Sequence, residues 1–387
     1  MKNRFYFIII LLISAIILRF GLMLLLSEQY SGLIRIFTVI AILGIGAVFT
    51  LRGTAKIIEE TTEILHERTN LAGGLLQSLG TAFPDMVLGV VAAIISLSLR
   101  STNLVLAINY AIIAAATTFG SNIYNIVYAT WAIYRQNLVN RFNKKLLMFP
   151  SLKFSGSLKP MSEHQRKPSL AEIDTSISVS TALTVLTGLV ALSMVIFGQV
   201  ENAELGITGD LYQLIRPVGV VVFALALAVL YYFRQSKHEA VQTTEAITEE
   251  KYYFKKSNLV IWLHLLLAGI AILLAAESMV RAIEVFCTIT GLPFVIAGVL
   301  AGVIGCLGEI IVVHNFSVNP QGRIGDAVVG VAMDNIVTIV GASLVAILGG
   351  IFLGGNALIL IFVIILTANT VLIWQISKLK NYLLLNK

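Results

Sequence analysis

Charged residues and cysteines are both scarce in this 387-residue chain. Only 12% of the residues are charged and 57% are hydrophobic, and the mean hydropathy of +0.90 is far above that of soluble globular proteins. The two cysteines, Cys287 and Cys306, lie in or beside apolar segments and form neither a disulfide framework nor a zinc-binding spacing. The composition therefore excludes a soluble domain and predicts a polytopic membrane protein.

Ten apolar runs are long enough to cross a hydrocarbon core of about 30 Å as helices. The first run follows Lys2 and Arg4, but its core is long and no small-residue cleavage site follows it, so we expect a retained helix. The sequence thus predicts an all-α fold with about ten transmembrane helices. The runs cover residues 5–27, 34–66, 72–98, 103–134, 176–199, 212–233, 258–286, 293–317, 324–350 and 355–378.

The loops between these runs predict the orientation. Residues 135–175 hold eight Lys and Arg residues, whereas the next loop holds Glu201, Glu204 and Asp210 and no Lys or Arg. Because basic loops stay in the cytoplasm, the first loop is predicted to be cytoplasmic, as are both termini. The same bias accounts for the net charge of +6, so we expect no nucleic-acid partner.

The spans fall into two halves. We expect an extra N-terminal helix in residues 1–33, a first half in 34–233, a cytoplasmic linker in 234–257 and a second half in 258–387. Neither the linker nor the basic loop is long enough to form a sizeable domain with its own core. The lipid bilayer is the predicted surrounding, and the oligomeric state is left open.

Two of the apolar runs carry a carboxylate where a lipid-spanning helix should have none. Asp85 lies in the third run and Glu309 in the eighth. Ionisable groups inside a membrane are costly and mark transport or coupling sites. Aligning the two carboxylates brings the segments around Asn122 and Asn335 into correspondence, with a loop insertion between them. One run is an odd-numbered span and the other an even-numbered one, so they cross the membrane in opposite directions and the pattern predicts repeats of inverted topology.

The motifs around these residues resemble one family. Residues 80–85, Gly-Thr-Ala-Phe-Pro-Asp, are similar to the G-T-S-L-P-E signature of the sodium/calcium exchanger (cation/calcium antiporter) superfamily, and residues 120–126 match its G-S-N-I-F-N-I segment. The resemblance covers about 50–130 and 275–345. It implies a prokaryotic-type antiporter of the plasma membrane that exchanges Ca²⁺ for Na⁺ without a cofactor.

The residue types at these motifs suit a hard cation. Three pairs of oxygen-bearing residues are spaced i,i+4 and so share a helix face. Pro84 lacks the N–H that would bond the backbone oxygen of Gly80. Carboxylate, hydroxyl, amide and carbonyl oxygens are the ligands that Ca²⁺ prefers. The predicted ion ligands are Gly80, Thr81, Asp85, Ser121, Asn125, Glu309, Asp334 and Thr338.

The second repeat departs from the family pattern. Gly305 and Cys306 stand where the family has hydroxyl residues, and Thr338 sits where many exchangers have an acid or amide. Asp334 introduces a carboxylate one turn earlier on the same face. We hypothesise that the charge has been relocated, which would alter the stoichiometry or replace Na⁺ coupling with H⁺ coupling.

Alternatives from other classes stay open at this point. One is an H⁺-coupled antiporter of Ca²⁺ or another cation, and another is a membrane sensor that binds cations without transporting them. An intramembrane enzyme is not expected, because the chain has no H-E-x-x-H and no G-x-S-x-G beside a partner histidine.

Other residues in the spans are assigned structural roles. We expect His264 and His314 to be satisfied structural groups, and Glu277 to pair with Arg281 at i,i+4. Small residues let membrane helices approach closely. The glycines expected to act in packing or as hinges are Gly73, Gly74, Gly120, Gly298, Gly302 and Gly330.

The predicted orientation is testable by cysteine labelling. In a background with Cys287→Ala and Cys306→Ala, a membrane-impermeant maleimide should label Asn202→Cys in intact cells, because the acidic loop is predicted to lie outside. Ser151→Cys, in the basic loop, should react only after permeabilisation. Labelling of both positions from the same side would contradict the topology.

Overall fold

A computed structural model describes residues 4–69, 73–164, 167–202, 207–241, 252–318 and 324–385. It describes the backbone alone for residues 59, 62–63, 65–69, 73–85, 154, 201–202, 207–209, 234–241, 255, 308 and 326–327. The described residues form a helical bundle. Its α-helices are α1 (Arg4–Ile16), α2 (Gly32–Gly44), α3 (Arg52–Thr69), α4 (Gly73–Leu99), α5 (Leu104–Phe142), α6 (Leu170–Phe197), α7 (Arg216–Val241), α8 (Asn258–Thr290), α9 (Phe294–Gly305), α10 (Leu307–Val318), α11 (Ile324–Leu348) and α12 (Gly355–Leu385).

The helices match the ten predicted spans. Among the described residues, eight helical segments are long and apolar enough to cross a membrane, and α9 with α10 makes a ninth if this bent pair is one span. The third predicted run corresponds to α4. The predicted all-α membrane fold is therefore confirmed.

The first two spans change their winding part-way along. The first passes from α1 into a π-helix at Ile17–Gly21 and then into a 3₁₀-helix at Leu22–Leu26. The second passes from α2 through a π-helix at Ile45–Leu51 into α3. The hydroxyls of Ser14 and Thr50, 2.8 Å apart, join the two spans near these segments. Such irregular turns leave no trace in an apolar run, so the sequence did not predict them.

Short strands in the loops are also absent from the sequence prediction. β1 (Leu146–Leu147) pairs with β2 (Ser157–Leu158) in the basic loop. β4 (Ile207–Gln213) pairs with both β3 (Gln199–Asn202) and β5 (Phe352–Gly354). β4 follows the fifth span and β5 follows the ninth. Their pairing places both loops at one end of the bundle, as expected after two odd-numbered spans, which run in the same direction.

The basic loop folds against the cytoplasmic end predicted for α5. The Trp131 indole donates to the backbone oxygen of Met148 at 3.2 Å, and Asn140 Oδ1 accepts from the Met161 N–H at 3.0 Å. Met148, Leu158 and Met161 are fully buried. The loop is thus a packed extension of the bundle.

A close contact between helix backbones joins the two repeats. A Cβ on Gly302 of α9 would lie 2.7 Å from the Ser121 nitrogen in α5, and one on Gly120 of α5 would lie 2.8 Å from Val299 Cα. Both contacts are with backbone, which cannot give way easily, so the packing role expected for these glycines is confirmed. In the reciprocal arrangement, α11 packs along α4. The second helix of each repeat therefore lies against the first helix of the other repeat: α5 lies against α9, and α11 lies against α4.

This contact predicts different outcomes for two matched glycine substitutions. Gly302→Ala should destabilise the protein by about 1–3 kcal/mol, because the added methyl overlaps the α5 backbone. Gly188→Ala in α6 is the control, since a Cβ there meets nothing within 4 Å. Thermal unfolding of the purified protein in detergent measures both, and equal melting temperatures would contradict the packing account.

Candidate functional site

The eighth span is broken at its acidic motif. The sequence predicted one helix over 293–317, but α9 ends at Gly305, α10 begins at Leu307, and the two helices bend by 51°. Cys306 lies between them and is fully buried. Membrane proteins tolerate a broken helix where protein or water covers the freed backbone, and transporters use such helix ends to bind ions.

Glu309 lies in the first turn of α10, directly after this break. Its side chain is buried, with 5% exposed. The N-terminal end of a helix carries a partial positive charge, which lowers the free-energy cost of an ionised carboxylate there. The break therefore explains how a span can hold this acid at membrane depth.

The asparagine motif of α5 supplies neutral oxygens. Ser121, Asn122 and Asn125 are all buried. The Ser121 hydroxyl donates to the Thr118 carbonyl at 2.8 Å, so its oxygen lone pairs stay available as acceptors. Within the described part of the chain, Asn125 Oδ1 and both amide atoms of Asn122 make no hydrogen bond. A buried amide oxygen without a donor is costly unless it has another role, and binding a cation is one such role.

The corresponding segment of α11 supplies a second set. Asp334, Asn335 and Thr338 are buried, with 8%, 0% and 1% exposed. The Thr338 hydroxyl donates to the backbone oxygen of Asp334 at 2.8 Å, rather than to its carboxylate. The hydroxyl oxygen of Thr338 thus retains its acceptor capacity, as that of Ser121 does.

A direct hydrogen bond joins the two asparagine motifs. Asn125 Nδ2 donates to Asn335 Oδ1 at 3.3 Å. Helix α10 packs against both α5 and α11, and these two also pack against each other. The structure therefore brings the helices that carry Ser121, Asn125, Glu309, Asp334 and Thr338 into one region.

The ion-binding role of the first acidic motif stays a prediction. Gly80, Thr81 and Asp85 belong to α4, which packs against both α5 and α11, but their side chains lie outside the described residues. The described side chains contain no group of three or more His, Cys, Asp or Glu that could hold a metal. A cation bound among them would therefore need mixed carboxylate, amide and hydroxyl ligands.

The histidines and the ion pair agree with their expected structural roles. His264 Nδ1 lies 2.9 Å from the Tyr253 hydroxyl, and His314 Nδ1 lies 2.7 Å from the Tyr128 hydroxyl. Arg281 Nε lies 3.5 Å from Glu277 Oε1, which confirms the i,i+4 pair. Each histidine thus lies within hydrogen-bonding distance of a tyrosine hydroxyl, and Glu277 and Arg281 form an ion pair.

Sequence reasoning missed two polar contacts made by glutamates of α8. Arg19, in the first span, donates to Glu277 Oε2 at 2.8 Å. Tyr110 of α5 donates to Glu284 Oε2 at 3.2 Å. Glu277 and Glu284 are seven residues apart, two turns along one helix face, and that spacing was the available signal.

The sequence matches no protein-family model and no curated protein. The structure, in contrast, is similar to that of native YfkE, with a TM-score of 0.54, 13% identity and 97% of each chain covered. This chain has the fold of YfkE. That similarity spans nearly the whole of both chains, so it covers the helical bundle as a whole.

Two other solved structures are similar at lower scores. The H⁺/Ca²⁺ exchanger CAX has a TM-score of 0.48 and 14% identity over 97% of this chain and 94% of that one. The sodium-calcium exchanger NCX_Mj has a TM-score of 0.43 and 14% identity over 90% of this chain and 98% of that one.

The bond between the repeats predicts energetic coupling. Asn125→Ala and Asn335→Ala should be less than additive in a double-mutant cycle, with a coupling free energy of about 0.6–1.7 kcal/mol. Reversible unfolding in mixed micelles measures each variant. Asn125→Ala combined with Asn140→Ala, 15 residues further along the same helix and bonded to other partners, is the control pair and should be additive. Full additivity of Asn125→Ala with Asn335→Ala would exclude a stabilising bond.

Proposed function

We propose that this protein is a secondary active cation antiporter of the plasma membrane that exchanges Ca²⁺ for Na⁺ by alternating access. The observation that carries the proposal is the break in the eighth span, which places a buried Glu309 at a helix N-terminus. Beside it, α5 and α11 contribute buried amide and hydroxyl oxygens from corresponding positions of the two repeats.

The donor set supports a hard cation as the substrate. The buried groups are oxygens, which Ca²⁺ and Na⁺ prefer, and the described residues offer no thiolate or imidazole cluster that would favour a transition metal. In this proposal Asp85, with Thr81 and the backbone oxygen of Gly80, completes the site from α4. Glu309, Asn125 and Ser121 are the other principal ligands.

The reciprocal packing of the repeats supports exchange. Because α5 lies on α9 and α11 lies on α4, each repeat contributes to both walls of the site. An empty site would bury negatively charged carboxylates, which is costly, whereas a bound cation neutralises them. Reorientation is therefore favoured only with an ion bound, and competition of two ions for the same carboxylates enforces antiport.

Asp334 favours H⁺ coupling as the second candidate. It is a buried carboxylate, with 8% exposed, one turn before Thr338 on a helix that lines the site. A carboxylate that alternates between binding a proton and assisting a cation would couple the two fluxes. Protonation neutralises the carboxylate as a bound cation would. A protonated site would therefore reorient for the same reason as a site with a bound ion.

Flux measurements in proteoliposomes test the proposal. Ca²⁺ uptake should be driven by an imposed Na⁺ gradient, and uptake driven only by a pH gradient would instead assign H⁺ as the coupling ion. Glu309→Gln should lower uptake at least about 100-fold, because removal of a buried ligand charge costs several kcal/mol.

Glu277→Gln provides the matched control. It makes the same chemical change in a carboxylate that pairs with Arg19 and Arg281, so uptake should stay near that of the wild type. Binding of Ca²⁺ without uptake under either gradient would identify a cation sensor instead. Equal loss of uptake in both variants would contradict the assignment of Glu309 as an ion ligand.

A further inference from the structure

Two arginines meet at the end of the bundle opposite the basic loop. Arg100 follows α4 immediately, and Arg216 is the first residue of α7. Measured from an ideal Cβ on Gly349, Arg100 Nη1 lies at 3.4 Å, and Nε and Nη2 of Arg216 both lie at 3.3 Å. The two guanidinium groups therefore converge on one small volume at the C-terminal end of α11.

Among the described residues, the positive charge in this cluster is only partly balanced. Arg100 donates to the Gly349 carbonyl, and Gln213 donates to the same oxygen at 3.2 Å. Arg216 makes no ion pair or hydrogen bond within the described part of the chain. Burial and the neighbouring Arg216 lower the pKa of Arg100. The end of α11 contributes about half a negative charge, against two positive charges.

An exposed apolar surface lies directly beside the cluster. Ile94 of α4, Val220 of α7 and Leu348 of α11 are 52%, 53% and 45% exposed. The three helices pack against one another, and each of these residues lies within about two turns of Arg100, Arg216 or Gly349. The arginines thus stand at the edge of the membrane-facing surface, at the level where phospholipid headgroups lie.

We propose that Arg100 and Arg216 bind the phosphodiester of an anionic phospholipid whose acyl chains lie against Ile94, Val220 and Leu348. Planar guanidinium groups bind phosphate oxygens through paired, charge-assisted hydrogen bonds, which an ammonium cannot reproduce. The adjoining apolar surface distinguishes a lipid from a free anion, since a free anion gains nothing from it. The bound lipid would join the ends of α4, α7 and α11.

Native mass spectrometry of the full-length protein with added phosphatidylglycerol tests this site. Arg216→Gln should weaken the tightest lipid-binding step about tenfold, because it removes one bidentate contact. Arg216 is exposed and makes no described bond, so this variant should fold normally. Arg216→Lys should weaken lipid binding by an intermediate amount, because lysine keeps the positive charge but lacks the planar guanidinium that makes paired hydrogen bonds.

The control is Arg141→Gln, which removes an exposed arginine at the other end of the bundle and should leave the tightest step unchanged. Equal affinity in the wild type and Arg216→Gln would overturn the proposal. Displacement of the lipid by millimolar inorganic phosphate alone would also overturn it and indicate a free-anion site. Neither result depends on whether the protein transports Ca²⁺.

Discussion

The free-energy cost of a carboxylate inside a membrane is the constraint on which this structure depends. Hydrocarbon provides no water to solvate Glu309, so the protein must supply the stabilisation itself. It does so by ending α9 at Gly305 and starting α10 at Leu307, which directs a helix N-terminus at the acid. The bend, the buried Cys306 and the packing of α10 on two neighbouring helices follow from that arrangement.

The break also explains why the two repeats must share their helices. A freed turn of backbone cannot face lipid, so α9 and α10 require cover from other helices. Helix α5 provides it, and Gly120 and Gly302 allow the two backbones to approach closely enough. That approach also carries the α5 asparagine motif to α11, where Asn125 bonds to Asn335. Close packing and the candidate site thus have a common cause.

The spans were predictable because hydrophobic length is a strong signal, and each of the ten apolar runs overlaps a described helix. The buried positions of Ser121, Asn125, Glu309, Asp334 and Thr338 follow from polar residues in apolar runs. The break at Cys306 was not predicted, because the motif contains no proline and glycine alone is tolerated in membrane helices. The π-helices and the three-stranded sheet depend on packing between distant segments, which no local pattern encodes. The contacts of Asp85 stay a prediction.

Direct observation of a bound cation is the most decisive measurement for this account. Anomalous diffraction from crystals of the full-length protein soaked in Ca²⁺ should show a peak about 2.3–2.6 Å from a Glu309 carboxylate oxygen, with further oxygen ligands from α5. The peak should disappear in Glu309→Gln and persist in Glu277→Gln. Anomalous signal confined to the loops at saturating Ca²⁺, with none inside the bundle, would contradict the central claim.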